Sequence, residues 1–190
     1  MGRRNYGYPS RFEPGILGHK LAPPSSSRHI VATELLGKTG DLSNKKFAIV
    51  VSTYHRNITG PLLDGALEEL AVEGVQEDNI TVVWVPGAWE LPLAAQALIQ
   101  NDCDYAALIC LGCVIKGETT HDHHINTMVS TNLGQMSTDS GIPVAFGLLT
   151  CNTLQQAIDR SGGEVGNKGI EATNAAIRMV RLFEEIKSQK

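Results

Sequence analysis

The segment from Tyr105 to Ile115 reads YAALICLGCVI and contains no charged residue. Its apolar residues follow one another without alternation, which is typical of a strand buried on both faces of a parallel sheet. Three further runs share this character, namely Phe47–Val51, Ile80–Val85 and Pro143–Leu149. The four runs together predict a four-stranded parallel sheet.

Helical patterns separate and follow these strands. In the first of them, Thr59 is the candidate N-cap and Pro61 falls in the first turn. After the fourth strand, Thr153 with Gln156 three residues later is typical of a capping box, which predicts a short helix. Strands that alternate with helices predict an α/β fold, a three-layer α/β/α sandwich of the flavodoxin-like kind. The apolar stripes of the longer helices cover 63–71, 89–99, 119–136 and 172–186.

The chain has 190 residues and a formal net charge of −4, from 16 Lys and Arg against 20 Asp and Glu. This length suits one domain, which we place at 29–190, after a tail at 1–28. Mild acidity without a basic stripe argues against nucleic acid as a partner. No apolar run reaches the roughly 20 residues of a membrane helix. Only 19% of the residues are charged. So low a fraction would be explained if other subunits cover part of the surface of the chain.

Residues 1–28 are rich in Gly, Pro, Ser and Arg without a period. They lack the apolar core of a signal peptide, so we expect a tail. An organelle signal remains an alternative, because the segment is poor in acidic residues. Ile16 and Leu17 are candidates for a short strand that docks on a neighbouring subunit.

The four cysteines stand at positions 103, 110, 113 and 151. Cys110 and Cys113 form a C-x-x-C, which is compatible with redox chemistry or with half of a zinc site. Both lie inside an apolar strand and no second C-x-x-C follows, so buried thiols are the favoured interpretation. Nothing resembles a disulfide scaffold, and we expect a reducing compartment, the cytoplasm.

In an open parallel sheet, ligands bind beyond the carboxyl ends of the strands. Tyr54 follows the first strand, where its ring could stack on a planar ligand or pack on a loop. Glu90 follows the second, where its carboxylate could accept hydrogen bonds from a polyol or complement a helix dipole. Phe146 lies within the fourth strand, which is most often a core position.

The richest strand end is the third, where residues 116–124 read KGETTHDHH. His121, His123 and His124 suggest a metal site, but helical spacing places His123 on another face and no H-E-x-x-H arrangement is present. An alternative is an anion site at a helix N-terminus, with His121 transferring protons near neutral pH. Three solvated histidines are the remaining alternative.

The segment 157–169 reads AIDRSGGEVGNKG and carries two cations, Arg160 and Lys168. Gly169 stands where a Walker A loop has Ser or Thr, and the chain has no G-x-G-x-x-G. Neither nucleoside triphosphate nor dinucleotide binding is therefore supported. The cations still suit a phosphate or a carboxylate, arginine through its bidentate fork.

Four segments, taken in order, resemble the lumazine synthase family: VVWVPGAWELPLAA at 82–95, LGCVIKGETTHDHHI at 111–125, IPVAFGLLT at 142–150 and AIDRSGGEVGNKG at 157–169. The resemblance implies condensation of 5-amino-6-(D-ribitylamino)uracil with L-3,4-dihydroxy-2-butanone 4-phosphate. The product is 6,7-dimethyl-8-ribityllumazine, in the penultimate step of riboflavin biosynthesis, without a metal or a redox cofactor. The tail is longer than in the compact bacterial members, which resembles a eukaryotic, more narrowly a fungal, version.

The resemblance also implies roles for the matching residues. Tyr54 corresponds to the aromatic that stacks on the pyrimidine, and His121 to the general acid/base. Arg160 corresponds to the phosphate-binding arginine, with Lys168 adding positive charge, and Phe146 to an aromatic that a neighbouring subunit contributes. Because a carboxylate is unexpected beside an anion, the side chain of Glu118 is expected to point away from the phosphate. The ribityl pocket corresponds to Ala88, Trp89 and Glu90. The strand end whose backbone reads the edge of the uracil corresponds to Cys113, Val114 and Ile115. The turn that binds the phosphate corresponds to Glu118 and Thr119.

Three other interpretations remain open on the residues alone: a flavodoxin-like module that binds flavin or pterin without turnover, a structural shell protein, and a metal hydrolase built on His121 and His124. The presence of His121 and Arg160 disfavours the shell protein. The family assembles as pentamers and, in some members, as capsids of about sixty subunits. A homopentamer is favoured here, because the implied site needs a neighbour's Phe146 and the tail could obstruct capsid contacts.

Overall fold

The computed structural model describes residues 32–101 and 104–189, and Glu34–Lys190 form one compact unit. Ile16 and Leu17, like the proposed domain boundary at residue 28, lie outside the described residues. The central sheet contains four parallel strands in the spatial order β2-β1-β3-β4, which confirms the predicted α/β fold. The strands are β1 Lys46–Ser52, β2 Ile80–Val85, β3 Tyr105–Ile115 and β4 Val144–Cys151.

Within the described residues, the α-helices lie between and after these strands. A short antiparallel pair, β5 Ser161–Gly163 and β6 Gly166–Asn167, connects the last two helices. A 3₁₀ turn at Ala88–Glu90 precedes the second helix, which therefore begins two residues later than predicted. None of these helices is long and apolar enough to cross a membrane. The helices are α1 Arg56–Val72, α2 Leu91–Gln100, α3 His121–Ser140, α4 Leu154–Asp159 and α5 Lys168–Ser188.

In the two central strands, β1 and β3, alternate residues are buried on opposite faces of the sheet. Phe47, Ile49 and Val51 of β1 pack with α1 and α5, whereas Ala48 and Val50 pack with α2 and α3. All five side chains are completely buried, which explains why β1 reads as an uninterrupted apolar run. The result is a three-layer sandwich with one apolar core on each side of the sheet.

Helix α1 begins earlier than the sequence predicts. Its N-cap is His55, which has a left-handed backbone with φ 59° and ψ 46°. Thr59 is buried one turn inside the helix, and its Oγ1 donates to the carbonyl oxygen of Ser52 at 2.7 Å. The predicted N-cap was wrong because this hydroxyl ties the helix back to the end of β1 instead of closing the helix start. Pro61 consequently lies in the second turn.

The capping box before α4 is confirmed. Thr153 Oγ1 accepts from the backbone N–H of Gln156 at 3.2 Å, and Gln156 Oε1 accepts from that of Thr153 at 3.3 Å. This reciprocal pair satisfies two donors that a helix start leaves free. Helix α4 ends directly before Arg160, which is its C-cap residue.

The interpretation of Cys110 and Cys113 as buried strand thiols is also confirmed. Burial raises the pKa of Cys110 to about 12. Burial, with a smaller effect of the nearby Cys151, raises the pKa of Cys113 to about 12. Both thiols are protonated at neutral pH, which disfavours redox chemistry through this C-x-x-C because the thiolate is the reactive form.

Candidate active site

The carboxyl ends of β1 and β3 border a cavity of about 820 Å³. Since β1 has β2 on one side and β3 on the other, the connections that follow these strands diverge and a crevice opens between them. The volume lies within the range of small-molecule sites, roughly 300–1,000 Å³. The cavity thus forms where the strand-end rule predicts a ligand.

Tyr54 and His55 form the wall of the cavity beyond β1. Their rings meet edge to face, with centroids 4.6 Å apart and planes inclined by 71°. Tyr54 is 66% exposed although it lines the cavity, so its ring is available to a planar ligand. His55 has a left-handed backbone, and strained conformations of that kind cluster at functional sites.

The ends of β2 and β3 supply the next part of the lining. Ala88 and Trp89 come from the 3₁₀ turn after β2, and Cys113, Val114 and Ile115 from the last residues of β3. All five belong to the segments singled out in the sequence, and the structure brings them together around one cavity.

Glu90 borders a neighbouring groove between α2 and α3 rather than the strand-end cavity. Its carboxylate nevertheless turns back toward Gly87, which does line the cavity. A Cβ added at Gly87 would stand 3.2 Å from Glu90 Oε2. The carboxylate therefore lies at the border between the two spaces.

The N-terminus of α3 brings Thr119, His121 and Asp122 to the cavity. Thr119 Oγ1 accepts from the backbone N–H of His121 at 3.4 Å. Asp122 Oδ2 lies 3.7 Å from His123 Nε2, whereas Oδ1 is buried without a hydrogen-bond partner among the described residues. The positive end of the helix dipole therefore faces the cavity and favours a negative group there.

Two of the candidate residues stand away from the lining. Glu118 is exposed, although Gly117 and Thr119 on either side of it line the cavity. Phe146 is 39% exposed, which corrects the expectation of a core position. Its exposure follows from the place of β4 at the edge of the sheet, with β3 as its neighbour on one side.

Arg160 and Lys168 are likewise outside the lining, and both donate to one atom, Glu171 Oε2, at 3.0 and 3.2 Å. Burial raises the pKa of the Cys151 thiol, and the Arg160 guanidinium lies close enough to oppose that rise. Cys151 ends β4 and is in register with Ile115, which lines the cavity. The cations therefore lie beside the strand ends that border the cavity.

Comparison with known proteins identifies the family. Residues 44–184 match the family described as 6,7-dimethyl-8-ribityllumazine synthase. A protein of that name from Rhodopirellula baltica is 51% identical over 146 residues, which span 77% of this chain and 94% of the relative. The chain belongs to the lumazine synthase family. Its activity is the formation of 6,7-dimethyl-8-ribityllumazine in riboflavin biosynthesis, as the resemblance implied, while a eukaryotic origin stays a prediction.

No group of three or more His, Cys, Asp or Glu side chains within 32–101 and 104–189 is arranged to hold a metal ion. Of the three histidines at the start of α3, His121 lines the cavity, and no ligand cluster of that size surrounds them among the described residues. The metal-hydrolase interpretation finds no support in the described residues.

Sequence reasoning missed several residues that line this cavity or contact the nearby cations. For Leu154 a signal existed, because it is an apolar residue directly after the N-cap at the fourth strand end. For Glu171 the signal was its spacing of three residues from Lys168, which places both on one helix face. The missed lining residues are His55, Asn57, Gly87, Gly117, Asp122, Ile125 and Leu154.

Proposed function

We propose that the strand-end cavity is the active site in which 5-amino-6-(D-ribitylamino)uracil condenses with L-3,4-dihydroxy-2-butanone 4-phosphate. One observation carries the proposal: an exposed aromatic ring, Tyr54, and the N-terminus of α3 with His121 border the same cavity. The first suits a pyrimidine and the second suits a phosphate. Both substrates therefore find complementary groups in one space.

The ribitylaminouracil would lie between the ends of β1, β2 and β3. Tyr54 stacks on the pyrimidine, and the backbone of Cys113, Val114 and Ile115 reads the edge of the uracil. The polyol extends along Ala88 and Trp89 toward Glu90. A carboxylate at that border is a strong acceptor for ribityl hydroxyls.

The phosphate of the second substrate would lie at the start of α3. Backbone N–H groups around Glu118 and Thr119 contribute donors, and the exposed Glu118 side chain points into solvent. Arg160 and Lys168 add positive charge from the adjacent strand end. Preorganised donors of this kind stabilise a departing phosphate as its charge develops.

The reaction needs several proton transfers. The amine attacks the ketone and loses water to form a Schiff base, a proton then leaves carbon as phosphate departs, and ring closure expels a second water. His121 lines the cavity, and an imidazole has one nitrogen that accepts a proton and one that donates it, so His121 can accept and return these protons. None of these steps requires a metal or a redox cofactor.

The site would be completed by a second copy of the chain. Phe146 is exposed on the edge strand and does not line the cavity of its own chain, which supports a place over the cavity of a neighbour. We infer a homopentamer, with a capsid of about sixty subunits as the alternative outcome of sedimentation. We place the enzyme in the cytoplasm, because the cysteines that the structure describes are free thiols and a reducing compartment keeps thiols free.

The direct test mixes the purified protein with both substrates and follows the fluorescence of the lumazine product. Product should form at a rate proportional to enzyme, with a chelator present or absent, and omission of either substrate should abolish it. A coloured ligand that copurifies without any product formation would instead indicate the flavodoxin-like binding module.

A further inference from the structure

The two cations assigned to the phosphate share a single carboxylate, Glu171. We propose that Glu171 is a positioning residue for the ketone phosphate, because it holds the Arg160 guanidinium in the orientation that receives the phosphate. This inference rests on the proposed function, which assigns Arg160 to that phosphate. Glu171 itself need not touch the substrate.

The contacts around Arg160 fix its guanidinium from two sides. Nη2 donates to Glu171 Oε2 at 3.0 Å, and Nη1 donates to the carbonyl oxygen of Val165 at 3.4 Å. A guanidinium has five N–H donors, so these two contacts leave others for an anion. Glu171 comes from α5 and Val165 from the turn between β5 and β6, so two separate elements set the direction of the arginine.

The charge balance of the cluster still favours an anion. Arg160 and Lys168 together outnumber the single carboxylate of Glu171 by one positive charge. Partial burial alone would raise the pKa of Glu171, but hydrogen bonds from Arg160 and Lys168 outweigh burial, and the pKa lies below its usual value. The carboxylate is therefore ionised at neutral pH, and its contribution is lost only as the pH falls through this lowered pKa.

Arg160 has a long side chain that loses rotamer freedom whenever it binds an anion. Its guanidinium is about one-third exposed, so packing alone does not order it. A tether to Glu171 orders the side chain before the substrate arrives, which reduces the entropy lost on binding. Glu171 should therefore act on the binding of the ketone phosphate and leave the chemical step unchanged.

Removal of Glu171 could in principle raise or lower the KM for the ketone phosphate. The direction of this change separates two possible roles of the carboxylate. If the negative charge of Glu171 mainly competed with the phosphate for the cations, its removal would lower the KM for the ketone phosphate. If Glu171 mainly positions Arg160, its removal raises that KM. The Michaelis constant thus decides between them.

The test compares E171A and E171Q with the wild-type enzyme, with kcat and both Michaelis constants measured. We expect E171A to raise the KM for the ketone phosphate about tenfold, equivalent to roughly 1.4 kcal/mol. Its kcat and its KM for ribitylaminouracil should stay within about twofold. E171Q keeps an oxygen acceptor and should recover part of the loss. An unchanged or lowered KM for the ketone phosphate in E171A, or equal changes in both Michaelis constants, would overturn the proposal.

E184Q is the matched control. Glu184 lies on the same helix and pairs with Lys45, away from the two cations. This variant also removes one ion pair of α5, but it should leave both Michaelis constants unchanged. A rise in the KM for the ketone phosphate in E184Q equal to that in E171A would assign the effect to the helix and sink the positioning role.

R160A separates this proposal from the function on which it rests. If R160A leaves the KM for the ketone phosphate unchanged, the phosphate assignment and the role of Glu171 both fail. If R160A raises that KM but E171A does not, only the role of Glu171 fails. In an R160A/K168A background, E171A should cause no further change, and an additional loss there would contradict positioning through the cations.

Discussion

His121 and Arg160 have proposed roles that kinetics can separate. His121 lines the cavity, whereas Arg160 lies beside it at the end of β4. The amine and the ketone react without a strong catalyst, so much of the acceleration comes from positioning. We expect H121A to lower kcat only about tenfold, at or below the low end for general acid–base catalysis.

R160A removes the cation that we propose for the departing phosphate, and it should lower kcat/KM for the ketone phosphate by about a hundredfold. Loss of one hydrogen-bond donor that stabilises a developing negative charge has an effect of this size in other enzymes. Steady-state kinetics with the ketone phosphate as the varied substrate gives both values. Near-complete loss of turnover in H121A, with sedimentation unchanged from the wild type, would reverse this ranking.

The same residues show what a sequence can reveal about a site. Tyr54 and His121 could be located because each directly follows a buried strand, and parallel strands end at one edge. The left-handed backbone of His55 could not be foreseen, because a positive φ is uncommon for a residue other than glycine and nothing in the local sequence signals it. The pairing of Glu171 with Lys168 follows from helical spacing, but its contact with Arg160 spans eleven residues and the turn between β5 and β6, which no local pattern describes.

Among the secondary-structure elements, α1 and α5 make a close helix–helix contact at a glycine. Gly169 in the first turn of α5 is buried, and a Cβ there would stand 2.0 Å from the carbonyl oxygen of Leu62. G169A should therefore force the helices apart and destabilise the protein by about 2 kcal/mol. Because Lys168 and Glu171 belong to the same turn, the displacement should also weaken use of the ketone phosphate.

G134A is the matched substitution, because Gly134 is exposed in α3 and an added Cβ meets nothing within 4 Å. Alanine there should stabilise the helix by roughly 0.5–1 kcal/mol. Urea unfolding at one protein concentration compares the two variants. Similar midpoints for both variants would show that the contact between α1 and α5 tolerates a methyl group.

Element prediction succeeded where the determining interactions are local. The four strands are continuous apolar runs, and the cap at Thr153 is a bond between residues three positions apart. It failed at the start of α1, where Thr59 bonds to a residue of the preceding strand instead of capping its own helix. The exposure of Phe146 likewise depends on the place of β4 in the sheet, which the run of apolar residues does not reveal.

For the whole molecule, the main question is whether each site draws on two subunits. The 19% charged fraction and the exposed Phe146 are both explained if neighbouring copies cover part of the surface. Mixing two defective variants tests this directly. Y54A removes the ring that lines the subunit's own cavity, and F146A removes the ring proposed to reach the neighbour's cavity. Each variant alone should be nearly inactive while sedimenting as the wild type does.

When the two variants are coexpressed in equal amounts, some sites receive both rings. In a ring of identical contacts, a site is intact when its own chain carries F146A and the contributing neighbour carries Y54A. Random assembly of the two variants produces this combination at about one site in four. Activity should therefore recover to about a quarter of the wild-type value, although neither parent is active. If both rings came from one chain, every site would lack one of them and mixing would restore nothing. Recovery thus follows from the position of Phe146 on an exposed edge strand, outside the cavity of its own chain.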